Sequence, residues 1–397
     1  MRISDRCRSC GSNDLIQVYD LGDQYLSDFR EDSSKPAKFP LTLMFCSHCT
    51  LVQLAHTANR ELLYTDNYGF RSGVNPAIAA DLKSIVDQAL TYNEAGAWLD
   101  IACNDGTLLS FVPPEQWYRV GVDPVEKFFD SSKNYANEIY TDYFDAAAFM
   151  DEQFDVVTSI SMFYDVDDVN EFVAGVARIL SRRGVWIIQQ NYLLPMIKIG
   201  AIDNVCHEHL TYFSLRALVS LLGRYDLEVI DVSTSDVNGG VLRTVVVHKD
   251  RWPRQSSVDA QLEVEAGLVQ AHVYLNFANR ATANLIKLNQ LIRTAAKTRD
   301  RIFIYGASTR GAVLWQAAGI DNMVVDFAVE RQPEKVGKWY SPVGVRIISE
   351  EQMRQLNPHY LLVGPWWHRD MFMQREAEFL SNGGKMIFPL PSVEVVG

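Results

Sequence analysis

His207, Glu208 and His209 stand side by side, with Tyr212 and Ser214 close behind and the apolar run Leu215–Leu222 following at helical spacing. An imidazole titrates near neutral pH and a neighbouring carboxylate can tune it and fix its tautomer. The run therefore predicts acid–base chemistry just ahead of a helix. Metal binding is the competing reading, but the spacing is not the HExxH pattern that puts two imidazoles on one helical face.

Cys7, Cys10, Cys46 and Cys49 make two CxxC pairs, while Cys103 and Cys206 stand alone. In a reducing compartment such pairs read as metal ligands rather than disulfides. Two knuckles supply four thiolates, which close a tetrahedral zinc site and leave no open position, so the expected ion is structural. It would let a short, core-poor segment fold. Coincidental thiols or a redox pair are the alternatives, though a redox CxxC needs no second copy. His48, inside the second knuckle, reads as a turn residue.

A third constellation begins at Trp98-Leu99-Asp100, a strand that ends at an acid. The small-residue loop Ala102-Cys103-Asn104-Asp105-Gly106 follows, and a second strand ends at Asp123. This is the pattern of a nucleoside-binding α/β domain, in which the second acid accepts from both ribose hydroxyls. The loop must be small where backbone approaches ligand. It is not GxGxxG, and Asp105 would repel a pyrophosphate. A cationic sulfonium with an amino-acid tail is better received, which moves the expected cofactor from NAD to S-adenosylmethionine. Asp142 and Tyr143 close a short third strand, where a base could be gripped.

These residues need a scaffold, and the chain supplies one. Pro76–Leu90 has helical spacing, Phe154–Ser161 and Gly184–Gln190 read as further strands, and Phe172–Leu180 as a helix between them. Alternating strands and helices predict a doubly wound sheet with ligands at the carboxyl ends of its strands. Leu227–Val232 and Val241–Val247, joined through Asn238-Gly239-Gly240, read as an antiparallel hairpin at its edge. Residues 251–299 are helical in pattern. A second Rossmann-like unit starts at Arg301–Gly311, with a helix over Ala312–Gly319 and a strand through Val324–Phe327. Its loop holds hydroxyls and Arg310, which suit a phosphate; a domain that has lost its ligand is the equal alternative. The aromatic stretch Tyr64, Tyr68, Phe70 and Arg71 suits either packing or closure over a ligand.

The expected architecture is thus α/β. It comprises a zinc module with an aromatic linker (1–75), a methyl-donor domain (76–250), a helical connector (251–299) and a C-terminal Rossmann-like domain (300–397). With 397 residues, two or three domains are expected. Hydrophobic content of 48% with 22% charged residues describes an ordinary folded chain. A net charge of −12 argues against an extended nucleic-acid or anionic-membrane surface. No apolar run approaches the roughly 20 residues of a membrane span. The N-terminus lacks the apolar core of a signal peptide, so a cytoplasmic location is expected.

Taken together, these motifs resemble the deoxysugar C-methyltransferase family, enzymes that methylate a carbon of a nucleotide-linked 4-keto sugar. The double CxxC resembles its zinc module, and Asn104-Asp105-Gly106-Thr107-Leu108-Leu109 its NDGxLL cofactor loop. His207-Glu208-His209 with Tyr212 and Ser214 resembles its acceptor motif. Asn238-Gly239-Gly240 with Arg243, Tyr305–Gly311, Pro333-Glu334-Lys335 and Pro365-Trp366 resemble its later elements. The resemblance implies that His209 is the base, with Glu208 and His207 orienting it or supporting an enolate oxygen, and that Tyr68 helps close the site. It implies cofactor contacts from Asp100, Asn104, Asp105, Gly106, Asp123, Asp142 and Tyr143. Substrate contacts would come from Tyr212, Asn238, Arg243, Ser308, Arg310 and Lys335. Ala102, Asp165, Cys206, Val241 and Arg310 depart from the usual glycine, histidine, tyrosine, serine and lysine, which points to a branch with a different sugar. An O- or N-methyltransferase on a sugar or other small metabolite, or a zinc-stabilised binding protein without catalysis, are the rival functions.

Overall fold

The computed structural model describes residues 1–63 and 71–397. Near the N-terminus, Leu15–Tyr25, Lys38–Cys46 and Val52–Leu54 form an antiparallel sheet between the two cysteine turns. Its fourth strand is Thr211–Tyr212, which sets Thr211 opposite Gln53 and Tyr212 opposite Val52. The residues just after the His-Glu-His run are therefore built into the cysteine-bearing module.

Helix Pro76–Ala89 starts where the Asn75 side chain accepts from the Ala77 N–H at 3.0 Å and Pro76 occupies the first turn. Such a cap contributes about 1 kcal/mol. Leu82, Ile85 and Val86 turn its apolar face onto a seven-stranded sheet. In spatial order that sheet is Leu227–Ser235, Val241–His248, Leu180–Asn191, Phe154–Ile160, Gly96–Ile101, Trp117–Val122 and Glu138–Tyr140. All run parallel except Val241–His248, which is antiparallel to both neighbours as its glycine-rich turn requires. Chain order reverses between Gly96–Ile101 and Phe154–Ile160, so the loops leaving these two strands diverge and open a crevice at their carboxyl ends. Inside the sheet Thr158 stands opposite Asp100 and donates to its carboxylate at 2.7 Å.

The C-terminal segment forms an eight-stranded sheet. Its central strands Lys385–Phe388, Tyr360–Val363, Ile302–Tyr305, Phe327–Val329 and Val345–Ile348 are parallel. The strand expected through Val324–Phe327 begins only at Phe327, because Val324 and Val325 are held in a turn by the Asp321 carbonyl. The outermost strand is Phe29–Arg30 of the N-terminal module, paired with Trp339–Tyr340. Helix Ala271–Lys297 buries Tyr274, Phe277, Leu285, Leu288 and Ile292 in one core with Phe45 of the module and Trp315 of the C-terminal segment. Each such side chain contributes about 1.5–3 kcal/mol when fully buried. Three stretches of chain are thereby welded together around the carboxyl ends of two sheets. Among the described residues no helix is long and apolar enough to cross a membrane.

Candidate active site

The His-Glu-His run lies on a turn between the 3-10 segment Ile202–Asn204 and strand Thr211–Tyr212. His209 Nδ1 is 2.8 Å from the Asn204 carbonyl oxygen. A carbonyl can only accept, so Nδ1 carries the hydrogen and Nε2 keeps its lone pair. The tautomer is set by a backbone carbonyl, not by the carboxylate expected to do so. Tyr164 packs on the imidazole with ring centroids 4.3 Å apart. Burial pulls the His209 pKa down to about 3; the Asn204 contact opposes this and the Arg310 charge adds to it. The ring is neutral throughout the working range. Burial shifts the Glu208 carboxyl the other way, upward, against a hydrogen bond with Cys206.

Two neighbours do not join them. His207 turns away, its Nε2 3.1 Å from the Phe39 carbonyl oxygen of the cysteine module, and burial lowers it to about 4. Tyr212 is buried beneath the turn, donating to the Asn204 carbonyl at 3.4 Å. Both were expected at the substrate. Successive residues of a tight turn point in different directions, and the short strand that follows sends these two into the module. Tyr68 lies outside the described residues.

His209 and Glu208 face a cavity of about 360 Å³ between the seven-stranded sheet and the C-terminal segment. Ser161, Tyr164, Asp165, Asn191, Cys206 and Asn238 complete its near wall. Ser308, Arg310 and Lys335 line the far side with Arg331, Glu330, Glu350 and Arg375. Ser308 also caps helix Thr309–Ala317, accepting from Gly311 N–H at 3.1 Å. Lys335 donates to the Ala307 carbonyl at 3.1 Å, lies 3.7 Å from Glu330 and sits 4.3 Å over the Phe29 ring. Burial lowers its pKa. Phe29 reaches this wall through strand pairing with residues about 310 positions away, which no local pattern announces.

A smaller cavity of about 50 Å³ opens at the switch point of the seven-stranded sheet, lined by Asp81, Asp100, Ala102, Cys103 and Gln189 among others. Ser161 and Asn238 line both cavities. Behind it, Asp123 accepts from the Asn104 and Val125 N–H groups, each at 2.9 Å. Asp105 accepts from Thr107 Oγ1 at 2.6 Å and from the Gly73 N–H at 3.0 Å, and Asn104 Oδ1 accepts from the Ser72 N–H at 3.0 Å. Gly106 has φ +80, and a Cβ there would come within 2.8 Å of the Ser132 backbone. Ala102 adopts φ 61, where a glycine would be unstrained; a left-handed L-residue costs about 1–2 kcal/mol. Asp142 and Tyr143 follow the edge strand at the same carboxyl rim, with Asp142 exposed, and neither lines the cavity. Arg243 lines neither cavity: its guanidinium is tied to Asp81 at 2.9 Å, Ser84 at 2.9 Å and Gln189 at 2.7 Å. Alternation along its strand points it at helix Pro76–Ala89 instead of at the substrate.

These donor-side residues fit S-adenosylmethionine. Asp100 and Asp105 favour its cationic groups, Asp123 keeps spare lone pairs for hydroxyls, and the glycine turn admits close backbone approach. The four cysteine sulfurs likewise fit zinc. All lie within 4.8 Å of one another, with Cys7 and Cys49 3.4 Å apart and Cys10 and Cys46 3.6 Å apart. A tetrahedron with bonds of about 2.3 Å has edges of about 3.8 Å.

Comparison with known proteins matches three domain models in order along the chain. A zinc binding domain model matches residues 7–64, a methyltransferase domain model 75–232 and a C-methyltransferase C-terminal domain model 236–391. The C-methyltransferase NovU of Streptomyces niveus is 26% identical over 411 residues, covering 100% of this chain and 98% of its own. An S-adenosylmethionine-dependent methyltransferase from Clostridium acetobutylicum is similar over 43% of this chain and 92% of its own, at 12% identity and a TM-score of 0.35. Magnesium protoporphyrin IX methyltransferase of Synechocystis, solved with S-adenosylhomocysteine, covers 46% and 91% at 15% identity and a TM-score of 0.37. Three models in order along the chain, a full-length relative and a four-cysteine cluster support a class I S-adenosylmethionine-dependent C-methyltransferase with an N-terminal zinc module.

Proposed function

We propose that the protein methylates the carbon next to the ketone of a nucleotide-linked 4-keto deoxysugar. The observation that carries this reading is the pair of adjoining cavities. The donor crevice and the acceptor cavity share Ser161 and Asn238, and a neutral histidine whose Nε2 carries the lone pair faces the acceptor side. A carbon acid needs such a base, whereas an oxygen or nitrogen acceptor brings its own lone pair. Arg331, Lys335 and Arg375 at the far end suit the diphosphate of a nucleotide.

S-adenosylmethionine supplies the electrophilic methyl group. His209 Nε2 takes the proton from the carbon beside the ketone, and the C–H electron pair becomes the enolate. Bound beside this cavity, S-adenosylmethionine would give its methyl group to the enolate carbon, the S–CH3 bonding pair returning to sulfur to leave the neutral thioether of S-adenosylhomocysteine. Glu208, whose carboxyl burial shifts upward, faces the same cavity and, in its protonated form, can donate to the enolate oxygen. Holding both reactants in adjoining cavities supplies much of the remaining rate.

His209→Ala should abolish turnover, lowering it by at least about 100-fold, with deuterium exchange at the acceptor carbon lost in parallel. Mass spectrometry of products from a panel of 4-keto nucleotide sugars is the measurement. Wild-type turnover in the variant, or a product methylated on oxygen or nitrogen, would overturn the reading.

A further inference from the structure

Arg310 lines the acceptor cavity, yet its guanidinium is already engaged by the protein. Nε donates to Asp203 Oδ2 at 2.9 Å, and Nη2 lies 2.6 Å from the same oxygen. Nη1 donates to the Asn238 carbonyl, and the guanidinium carbon lies over the Trp367 ring, 4.1 Å from its centroid. Asp203 is 1% exposed, and Trp366 Nε1 also donates to its Oδ2 at 3.1 Å. Asp203 immediately precedes Asn204, whose carbonyl holds the Nδ1–H of His209. Asn238 borders both cavities. Arg310 thus grips the turn that carries the histidine and the turn where donor and acceptor spaces meet, and it does so from a different part of the chain.

We propose that Arg310, paired with Asp203, is a positioning residue: it pins the His209 turn and the Asn238 turn to each other and so aligns base, acceptor carbon and methyl donor. This rests on the reading of His209 as the base. A buried carboxylate needs a fixed partner, and a planar fork with several donors can hold one while reaching a carbonyl in another direction. A lysine at the same position has the charge but not the fork. The backbone at the Asn238 end leaves little slack. Gly239 and Gly240 have φ +89 and +121, and a Cβ on Gly239 would meet Trp366 at 3.4 Å and Arg310 Nη2 at 3.6 Å. Arg310's charge also adds to the burial that depresses His209, so its loss changes the titration as well as the position of the ring. Glu208 and Asp165 are the other titratable carboxyl groups on the near wall.

The test uses full-length protein labelled with 15N-histidine, as wild type and as Arg310→Met, Arg310→Lys and Asp203→Asn. Wild-type His209 is expected as the neutral Nδ1–H tautomer from about pH 5 to 8. Arg310→Met should release the ring into a mixture of tautomers and move its titration upward, burial continuing to hold it below the free-imidazole value. Arg310→Lys should give the mixture with a smaller titration shift. In turnover with a 4-keto-6-deoxyhexose nucleoside diphosphate, kcat should fall about 10- to 100-fold while the KM for S-adenosylmethionine changes less than about two-fold. A His209 signal unchanged in tautomer and titration in the folded Arg310 variants overturns the proposal. Should Arg310→Met fail to fold, Arg310→Lys decides. His209→Gln separates the two claims. If it still exchanges deuterium into the acceptor, the base assignment fails, while the NMR comparison continues to judge the positioning of the ring.

Discussion

Asp100 ends the first strand of the donor domain enclosed by protein, and burial raises its carboxyl to about 7; the Thr158 hydroxyl opposes that shift and the Asp123 charge adds to it. Below that pH the side chain is mostly protonated, and above it mostly ionised. A cationic ligand prefers the ionised form, so binding of S-adenosylmethionine should release a proton below about pH 7. Affinity should therefore rise by about tenfold from pH 6 to pH 8 and level off beyond. Calorimetry in buffers of different ionisation heat measures both quantities, and Asp100→Asn should flatten the profile. A pH-independent wild-type affinity would remove Asp100 from the donor site. At this scale the sequence shows which residue types gather near the two cavities and shows less of where they point. The acid at the end of each donor strand, the glycine turn, Glu208, His209 and the four cysteines are readable from type and spacing. The directions of His207, Tyr212 and Arg243 are not, since they depend on which neighbour each turn or strand face meets.

Among the elements, the helix that follows the acceptor turn owes its start to a residue outside its own segment. Helix Leu215–Leu222 is capped by Ser214, which accepts from the Ala217 N–H at 3.1 Å. The buried carboxylate of Glu265, 0% exposed, accepts from the Leu215 N–H at 2.6 Å, the Arg216 N–H at 3.0 Å and the Tyr192 hydroxyl at 2.7 Å. The connector therefore holds the first turn of this helix and the end of strand Leu180–Asn191 together. Glu265→Gln keeps the shape, loses the charge, and places an amide N–H against a donor. It should cost about 2–3 kcal/mol in urea unfolding; a loss under about 0.5 kcal/mol would show that the carboxylate is not needed there. The periodicity of the connector announces its helices but not this contact. The donor strands were legible because each is an apolar run ended by a polar residue. Phe29–Arg30 and Thr211–Tyr212 were not, because two residues carry no period and their pairing is decided by tertiary packing.

For the molecule as a whole, the zinc module touches both other parts. Its strand Val52–Leu54 pairs with Thr211–Tyr212, its Phe39 carbonyl holds His207, and its strand Phe29–Arg30 extends the C-terminal sheet and brings Phe29 to the acceptor cavity. Arg8, inside the first cysteine turn, contacts Asp167 on the loop that also carries Tyr164 and Asp165. Removing the metal should therefore act on the acceptor side more than the donor side. Chelation, or Cys46→Ser, is expected to lower turnover more than about tenfold, while affinity for S-adenosylmethionine changes less than about threefold. Metal analysis and calorimetry on the same samples decide it; equal losses on both sides would assign zinc to general stability.

The pairing of Val52–Leu54 with Thr211–Tyr212 also has a consequence for biosynthesis. The module leaves the ribosome before the partner of its edge strand, which is made about 160 residues later. At about 5–20 residues per second that edge stays open for roughly 10–30 s. An open apolar edge invites pairing with a neighbouring nascent chain. Zinc loaded during translation would hold the knuckles closed through this interval. The order of synthesis thus leaves this edge without its partner until the acceptor turn itself has been made.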